Sequence, residues 1–452
     1  MDAREVRLDP ALGRRLAQRA AALAPLGSLS QDAVELEPAE LEALELLAQR
    51  LANTYPFGEP RYVGQMLKPP HPLAWAAYAT TMLLNPNNHA LDGGPATAAM
   101  EQEAVAAIAG MFGLRQPLAH LTSSGTIANL EALWVARELR PGGAILVGEN
   151  AHYTHARMCE VLGARVETLP QDDRGRLDLD ALEARLRASR GATVVATLGT
   201  TSLGALDPVA QIATLCAAHG ARLHVDAAYG GFHALLADGA QPGVDPEPFA
   251  ALARADSIVV DPHKHGLQPY GCGCALFADP AVGRFYAHDS PYTYFTSSDL
   301  HLGEISLECS RAGAAAAALW TTLQALPLTR AGLGAQLAPA RAAAQRLARA
   351  LDGSPLALVT EPELDIVCPF PRAATASQIS ARCEAAFDTL AQDGWHAAKL
   401  RVEVAWLRRR HPWIEPDADT VTTLRLVLMK PSHLAVVDEL AAVLREHLAG
   451  DP

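Results

Sequence analysis

The sequence predicts an α/β protein: a large domain with a mostly parallel sheet sandwiched by helices, followed by a small C-terminal α+β domain. Three observations carry this. Between about residue 60 and residue 325, short apolar runs rich in Val, Ile and Leu alternate with Ala-rich helical stretches, the pattern of a sheet covered on both faces. At 452 residues the chain exceeds what one core usually serves. After Pro327 the alternation gives way to a different arrangement of helices and strands.

Taken in order, residues 1–59 read as an amphipathic helical arm that ends near Asn53-Thr54-Tyr55-Pro56 and is suited to packing on a second subunit. Residues 60–326 form the large domain. Helices are expected over Met100–Phe112, Ile127–Leu139 and Leu179–Ser189, and strands at Ala144–Val147, Thr193–Ala196, Arg222–Val225 and Ser257–Val260. Residues 327–452 form the small domain: a helix over Leu337–Leu351, a strand at Leu364–Val367, another helix, strands at Leu400–Val404 and Thr423–Met429, and a closing helix over Ser432–Leu448.

Composition excludes several classes. The net charge is −13 and no basic stripe is present, which argues against a nucleic-acid partner. No apolar run reaches the length of a membrane span. The N-terminal MDAREVRLDPALGRR lacks a signal-type apolar stretch, so a cytoplasmic location is expected. The seven cysteines are odd in number and form no disulfide framework, which fits reduced thiols.

The residues that follow the strands carry the chemistry. Lys264 lies just beyond the apolar run 257–260, although lysine is seldom buried without a partner. Asp226 ends the run 222–225, where an unpaired carboxylate would be costly and calls for a cation. Ser124-Gly125-Thr126 precedes a predicted helix, and the N–H groups and dipole of a helix start favour an anion. His152 offers a flat ring, and Thr200-Thr201 follows the run 193–196. Each signal alone is weak: a serine before a helix is commonly a cap and an aspartate after a strand commonly a turn residue. Together, at strand ends that share one rim, an anion cradle, a stacking ring, a carboxylate and an amine describe a site for pyridoxal 5′-phosphate. The lysine would form the imine and the carboxylate would keep the ring nitrogen protonated.

On HVDAAYGG (224–231), ATLGTTSLGALDP (196–208) and PHKHGL (262–267), the chain resembles the group II pyridoxal-phosphate-dependent amino acid decarboxylases of the aspartate aminotransferase fold, fold type I. The resemblance runs from about Pro60 to Leu323, and the C-terminal third follows the family in pattern only. It implies that Lys264 is the Schiff-base lysine, His263 a phosphate contact and Asp226 the ring-nitrogen partner. It further implies that Ala228 packs on the ring, that His152 stacks on it and contacts the substrate, that Thr200 lies near the ring substituents, and that Ser124, Gly125 and Thr126 form the phosphate loop. A loop tyrosine donates the proton that replaces the carboxyl group, and Tyr292 and Tyr294 are both candidates. The family is dimeric with shared active sites, so a homodimer acting on a small amino acid is expected.

Alternatives stay open at this stage. The segment GLQPYGCGC (266–274) is similar to that of glutamate decarboxylase and sphingosine-phosphate lyase, and a carbon–carbon lyase would use the same imine. Such a lyase acting on a lipid phosphate should add a basic cluster and a membrane anchor; neither is present, which favours decarboxylation of an L-amino acid. Segment 85–95, NPNNHALDGGP, occupies the substrate side. Arg311 matches a position that is basic in several relatives or belongs to a solvated helix start. Arg425 binds a carboxylate or, as the safer expectation, sits at the surface or in an ion pair. Cys272 and Cys274 lack zinc-ribbon spacing and read as small core residues, so no metal is expected.

Overall fold

The computed structural model describes residues 37–89, 93–287 and 306–449. Seven apolar segments, most of them fully buried, form the central sheet: β1 Leu118–Thr122, β2 Ile145–Gly148, β3 Val166–Leu169, β4 Thr193–Thr197, β5 Arg222–Asp226, β6 Ser257–Val260 and β7 Gly273–Phe277. Their order is β1-β7-β6-β5-β4-β2-β3. The pairs among β2 to β6 are parallel, and β7 runs antiparallel to both of its neighbours. Residues such as Leu146, Val194, Val225 and Ile258 are wholly buried, as a sheet covered on both faces demands.

The four strands expected from sequence fall where the apolar runs put them, within a residue at each end. Three more are present, and each hid for a reason. Strand β1 carries a buried His120, whose Nε2 lies 2.8 Å from Glu131. Strand β3 is at the edge of the sheet and is only partly buried. Strand β7 opens with Gly-Cys, residues that suggest no strand on their own.

Around the sheet lie α3 Pro95–Met111, α4 Gly125–Leu139, α5 Thr154–Leu162, α6 Leu179–Ala188 and α7 Val209–His219; before them come α1 Pro38–Leu51 and α2 Pro72–Met82. Helix α4 buries Ala128, Ala132, Val135 and Ala136, small residues at helical spacing that let it lie close to β6 and β7. Helix α8, Gly313–Ala325, packs on α2 and α3. Helix α1 buries none of its residues and leaves Leu41, Leu44, Leu47 and Leu51 exposed.

Beyond residue 327 come α9 Gly334–Leu351, β8 Leu356–Leu358, β9 Ile366–Val367, β10 Pro369–Pro371, α10 Ala376–Gln392, β11 Ala398–Glu403, β12 Thr420–Val427 and α11 His433–Ala449. Strands β11, β12 and β9 make an antiparallel sheet backed by α10. Arg425 lies on β12, opposite Ala398.

Because β7 is antiparallel to β6, residues 261–272 leave the sheet and re-enter it at the same edge, beside the ends of β4 and β5. Lys264 is on that loop.

Candidate active site

Strand β1 ends at Thr122, and the chain turns into α4 through Ser124, whose Oγ accepts the Ile127 N–H at 3.4 Å. This cap explains the helix start. Gly125 and Gly273 make room around it. A Cβ on Gly125 would stand 2.6 Å from both carboxylate oxygens of Asp261, and one on Gly273 would stand 2.5 Å from the Ser124 carbonyl carbon. Without those side chains, the helix start can approach both β7 and the Lys264 loop. The first N–H groups of a helix have no intrahelical partner, so an anion is favoured there.

Lys264 Nζ lies 2.9 Å from Asp261 Oδ2. Burial works to lower its pKa, but the Asp261 carboxylate, and then Asp226, outweigh that effect and raise the ammonium above its ordinary value. Lys264 is therefore held as a cation at the strand end, and Asp261 is the partner that permits its burial.

Asp226 ends β5, paired with Thr197 on one side and Val259 on the other. Its Oδ1 accepts the Ala228 N–H at 3.0 Å, and its Oδ2 is 2.9 Å from His155 Nε2. Full burial alone raises a carboxylate by as much as about 3–5 units. Here the His155 hydrogen bond, and after it Lys264, win, and Asp226 titrates well below the usual carboxylate range. Behind this pair, His224 lies 6.3 Å from the His155 ring. Its Nδ1 meets Ser257 Oγ at 2.9 Å and its Nε2 meets Asn129 Oδ1 at 2.8 Å. Burial pushes His224 down to about 3, so it is neutral.

One cavity of about 160 Å³ is lined by Ser124, Gly125, Thr126, His152, Asp226, Ala228, His263 and Lys264, among others. His152 Nδ1 lies 2.5 Å from Thr154 Oγ1, and burial lowers its pKa, which leaves a neutral flat ring at the wall. His263 is anchored by Nδ1 to the Cys272 carbonyl at 2.7 Å and stacks near Tyr270 at 4.7 Å. Thr200 does not face the cavity. It is buried, its Oγ1 accepts the Ala205 N–H at 3.1 Å, and its neighbour Thr201 lines the wall instead. Tyr292 and Tyr294 lie outside the described residues.

Two arginines differ from expectation. Arg311 is no solvated helix start: its Nη1 meets Glu101 Oε1 at 2.7 Å and the Leu121 carbonyl at 2.8 Å, and its Nη2 meets the Asn88 carbonyl at 3.0 Å. It fastens the 85–89 segment to β1. Arg425 is buried, not superficial. Its Nη1 reaches Gln65 Oε1 at 3.5 Å, while Nε and Nη2 have no hydrogen-bond partner. Both faces of β12 are covered from Thr423 to Val427, which decides this, and local sequence could not show it. Cys272 and Cys274 are buried, as expected of core residues.

Sequence reasoning missed Asp261 and His155. Asp261 stands three residues before the lysine, and His155 stands three after His152, one helical turn away on α5. The spacing was the available signal.

The donor set fits pyridoxal phosphate. It offers an amine and a carboxylate on a common cavity, a helix start for an anion and a neutral ring on the wall. Two buried oxygens, Thr197 Oγ1 and Asp261 Oδ1, have no partner in the protein, as expected where a polar ligand belongs. When bound, this group supplies the electron sink for breaking a bond at the amino-acid α-carbon.

Comparison with known proteins agrees. The pyridoxal-dependent decarboxylase conserved domain matches residues 73–370. The "Probable L-tyrosine/L-aspartate decarboxylase" of Methanothermobacter thermautotrophicus is 32% identical over 323 residues, covering 70% of this chain and 83% of that protein. The "L-tyrosine decarboxylase" of Enterococcus faecium is 30% identical over 412 residues, covering 69% of this chain and 67% of that one. The crystal structure of Oryza sativa TDC with PLP and tryptamine superposes with a TM-score of 0.78 at 18% identity, over 98% of this chain and 100% of that one, a likeness of fold. The chain belongs to the pyridoxal-dependent decarboxylase family. It is a pyridoxal-phosphate-dependent amino acid decarboxylase of fold type I, and the carbon–carbon lyase alternative is not favoured. No helix among the described residues is long and apolar enough to cross a membrane.

Proposed function

We propose that Lys264 holds the aldehyde end of the cofactor, Asp226 its ring nitrogen, and Ser124, Gly125 and Thr126 with His263 its phosphate, while His152 and Ala228 bracket the ring. The supporting observation is that all eight residues line one cavity at the strand ends. Asp226 acts here as an anion. His155 keeps it in that form and orients it, which lets it stabilise a protonated ring nitrogen. Lys264 must give up its proton to become nucleophilic, and Asp261 is the adjacent group that can share it. Borohydride reduction of the loaded protein should trap a covalent adduct on Lys264, and Lys264→Ala should lose both the adduct and the yellow colour. An adduct that persists in the variant sinks the assignment. The five exposed leucines of α1, Leu46 among them, and the absence of disulfides among the seven free cysteines support a cytoplasmic homodimer; light scattering on the same preparation should give twice the 47.8 kDa chain mass.

For the substrate we propose an acidic L-amino acid, with L-aspartate as the first choice. The support is cationic. Arg425 has open donors, and Lys68, which burial draws down to about 8, donates only to the Met429 carbonyl at 3.3 Å. Neither has a carboxylate at ion-pair distance among the described residues. The 65–68 segment is tied to the cavity by Tyr270, whose hydroxyl meets the Met66 carbonyl at 3.3 Å and whose ring lies beside His263. The names of the two relatives bring L-tyrosine as the competing substrate. In an assay of CO2 release, L-aspartate should be preferred, and Arg425→Met should cut its kcat/KM roughly 10–100-fold, the loss of a hydrogen bond to a charged group. A preference for L-tyrosine overturns the acidic substrate and leaves the cofactor assignment standing.

A further inference from the structure

We infer that His233, His265 and Asp365 form a second site, for a divalent transition metal, that fastens the loop of Lys264 to the segment after β5 and to the start of β9. His233 lies in the turn Gly231–Leu236 that follows β5. His265 follows Lys264 directly, and Asp365 immediately precedes β9. All three side chains are completely buried, and one ligand atom from each lies within 4.8 Å of the others.

Neither ring nitrogen of His233 has a hydrogen-bond partner, nor does Nδ1 of His265, while Asp365 Oδ2 meets His265 Nε2 at 3.2 Å. Buried polar groups are nearly always satisfied, so a buried histidine with neither nitrogen engaged, facing this pair, calls for a further partner. Among the other buried histidines, both nitrogens of His224 and both of His433 are engaged, and His120 stands against Glu131 at 2.8 Å, whereas His233 has no carboxylate or hydrogen-bond partner of its own. The geometry suits a metal. Bonds of about 2.0–2.1 Å in a tetrahedral site place ligand atoms roughly 3.3 Å apart. His265 Nε2 and Asp365 Oδ2 already stand at 3.2 Å. The His233 and His265 rings meet nearly edge to face, with centroids 4.6 Å apart and planes at 77°, so a small swing brings a His233 nitrogen into range.

Asp365 is also oriented from outside. The Tyr229 hydroxyl donates to its Oδ1 at 2.6 Å, leaving Oδ2 free toward the histidines. Such outer hydrogen bonds are what set ligand direction at metal centres. Two imidazoles and a carboxylate favour zinc among common ions and disfavour magnesium or calcium, which take oxygen ligands. A water would complete the fourth position. Sequence spacing led to no metal being expected; the structure brings together a histidine beside the lysine, a histidine 32 positions earlier in the chain and an aspartate 100 positions later.

The test uses untagged full-length protein in its cofactor-loaded form, grown with added zinc and analysed for metal by mass spectrometry. One equivalent of zinc per chain is expected, with loss of that zinc from both His233→Leu and His265→Gln and a fall in melting temperature when wild type is stripped by chelator. Zinc that persists in both variants lies elsewhere and overturns the inference. So does wild type that holds no zinc as isolated and takes up none in equilibrium dialysis; His265 and Asp365 then share only a proton. Should the substitutions prevent folding, Co2+-loaded wild type decides: the intense visible bands of a four-coordinate ion support the site, and a weak six-coordinate spectrum overturns it.

Discussion

Two of the buried aspartate–histidine pairs near Lys264, Asp226–His155 and Asp365–His265, are built differently. Asp226 and His155 stand 2.9 Å apart, with the second carboxylate oxygen on a backbone N–H and the cavity alongside. Asp365 and His265 stand 3.2 Å apart, with the second oxygen on a tyrosine hydroxyl and a further histidine facing the pair. Partners pull both carboxylates below their ordinary range against the pressure of burial. The difference lies in what each faces. Asp226 lines the cavity and can act on a ligand there, whereas Asp365 is sealed among buried side chains, the two histidines of the proposed metal site included, so its consequences are structural. A perturbed carboxylate marks a functional site only when it also meets open space.

The strongest way to break this comparison is to neutralise each carboxylate in turn. Asp226→Asn should lower kcat by about 10²–10³-fold, the usual cost of removing one preorganised electrostatic partner, with little change in the urea midpoint. Asp365→Asn should do the reverse: keep most of the turnover and lose about 1–3 kcal/mol of stability, the cost of leaving buried polar partners unmatched. If both variants fail in the same way, the two pairs are one functional unit and the distinction falls.

A finer test uses pH. His224, which backs the first pair, is held down to about 3 in the folded chain against an ordinary value near 6.5. The unfolded chain therefore binds a proton that the folded chain refuses. Its contribution to stability is fully present above pH ~6.5 and is lost as pH falls toward 3, by up to ~1.4 kcal/mol per pH unit. Urea midpoints measured between pH 7 and pH 5 should fall, and His224→Gln should flatten that slope. An unchanged slope in the variant would assign the acid sensitivity to other groups.

Much of the site was legible because its parts sit at strand ends, and strand ends are marked by the stop of an apolar run. Ser124, His152, Asp226 and Lys264 all follow that rule. Asp261 and His155 were harder to see, because a partner is recognised only once the group it serves has been placed in space. Thr200 and Thr201 show a limit of another kind: of two adjacent threonines in a turn, only the backbone decides which one lines the cavity. Arg425 shows a third limit: β12 is buried on both faces from Thr423 to Val427, and what covers it comes from elsewhere in the chain. His233, His265 and Asp365 are brought together by the tertiary fold alone, across more than a hundred residues of chain.

The reversed strand β7 has one more consequence. Other rim residues stand on connections that depart over one face of the sheet toward a helix. The stretch bearing Lys264 instead hangs between two adjacent strands, like a bridge between neighbouring piers, and both abutments are fully buried strands of the central sheet. Inserting a single residue there would have no free end through which to relax, so this dozen-residue span should tolerate changes of side chain far better than changes of length.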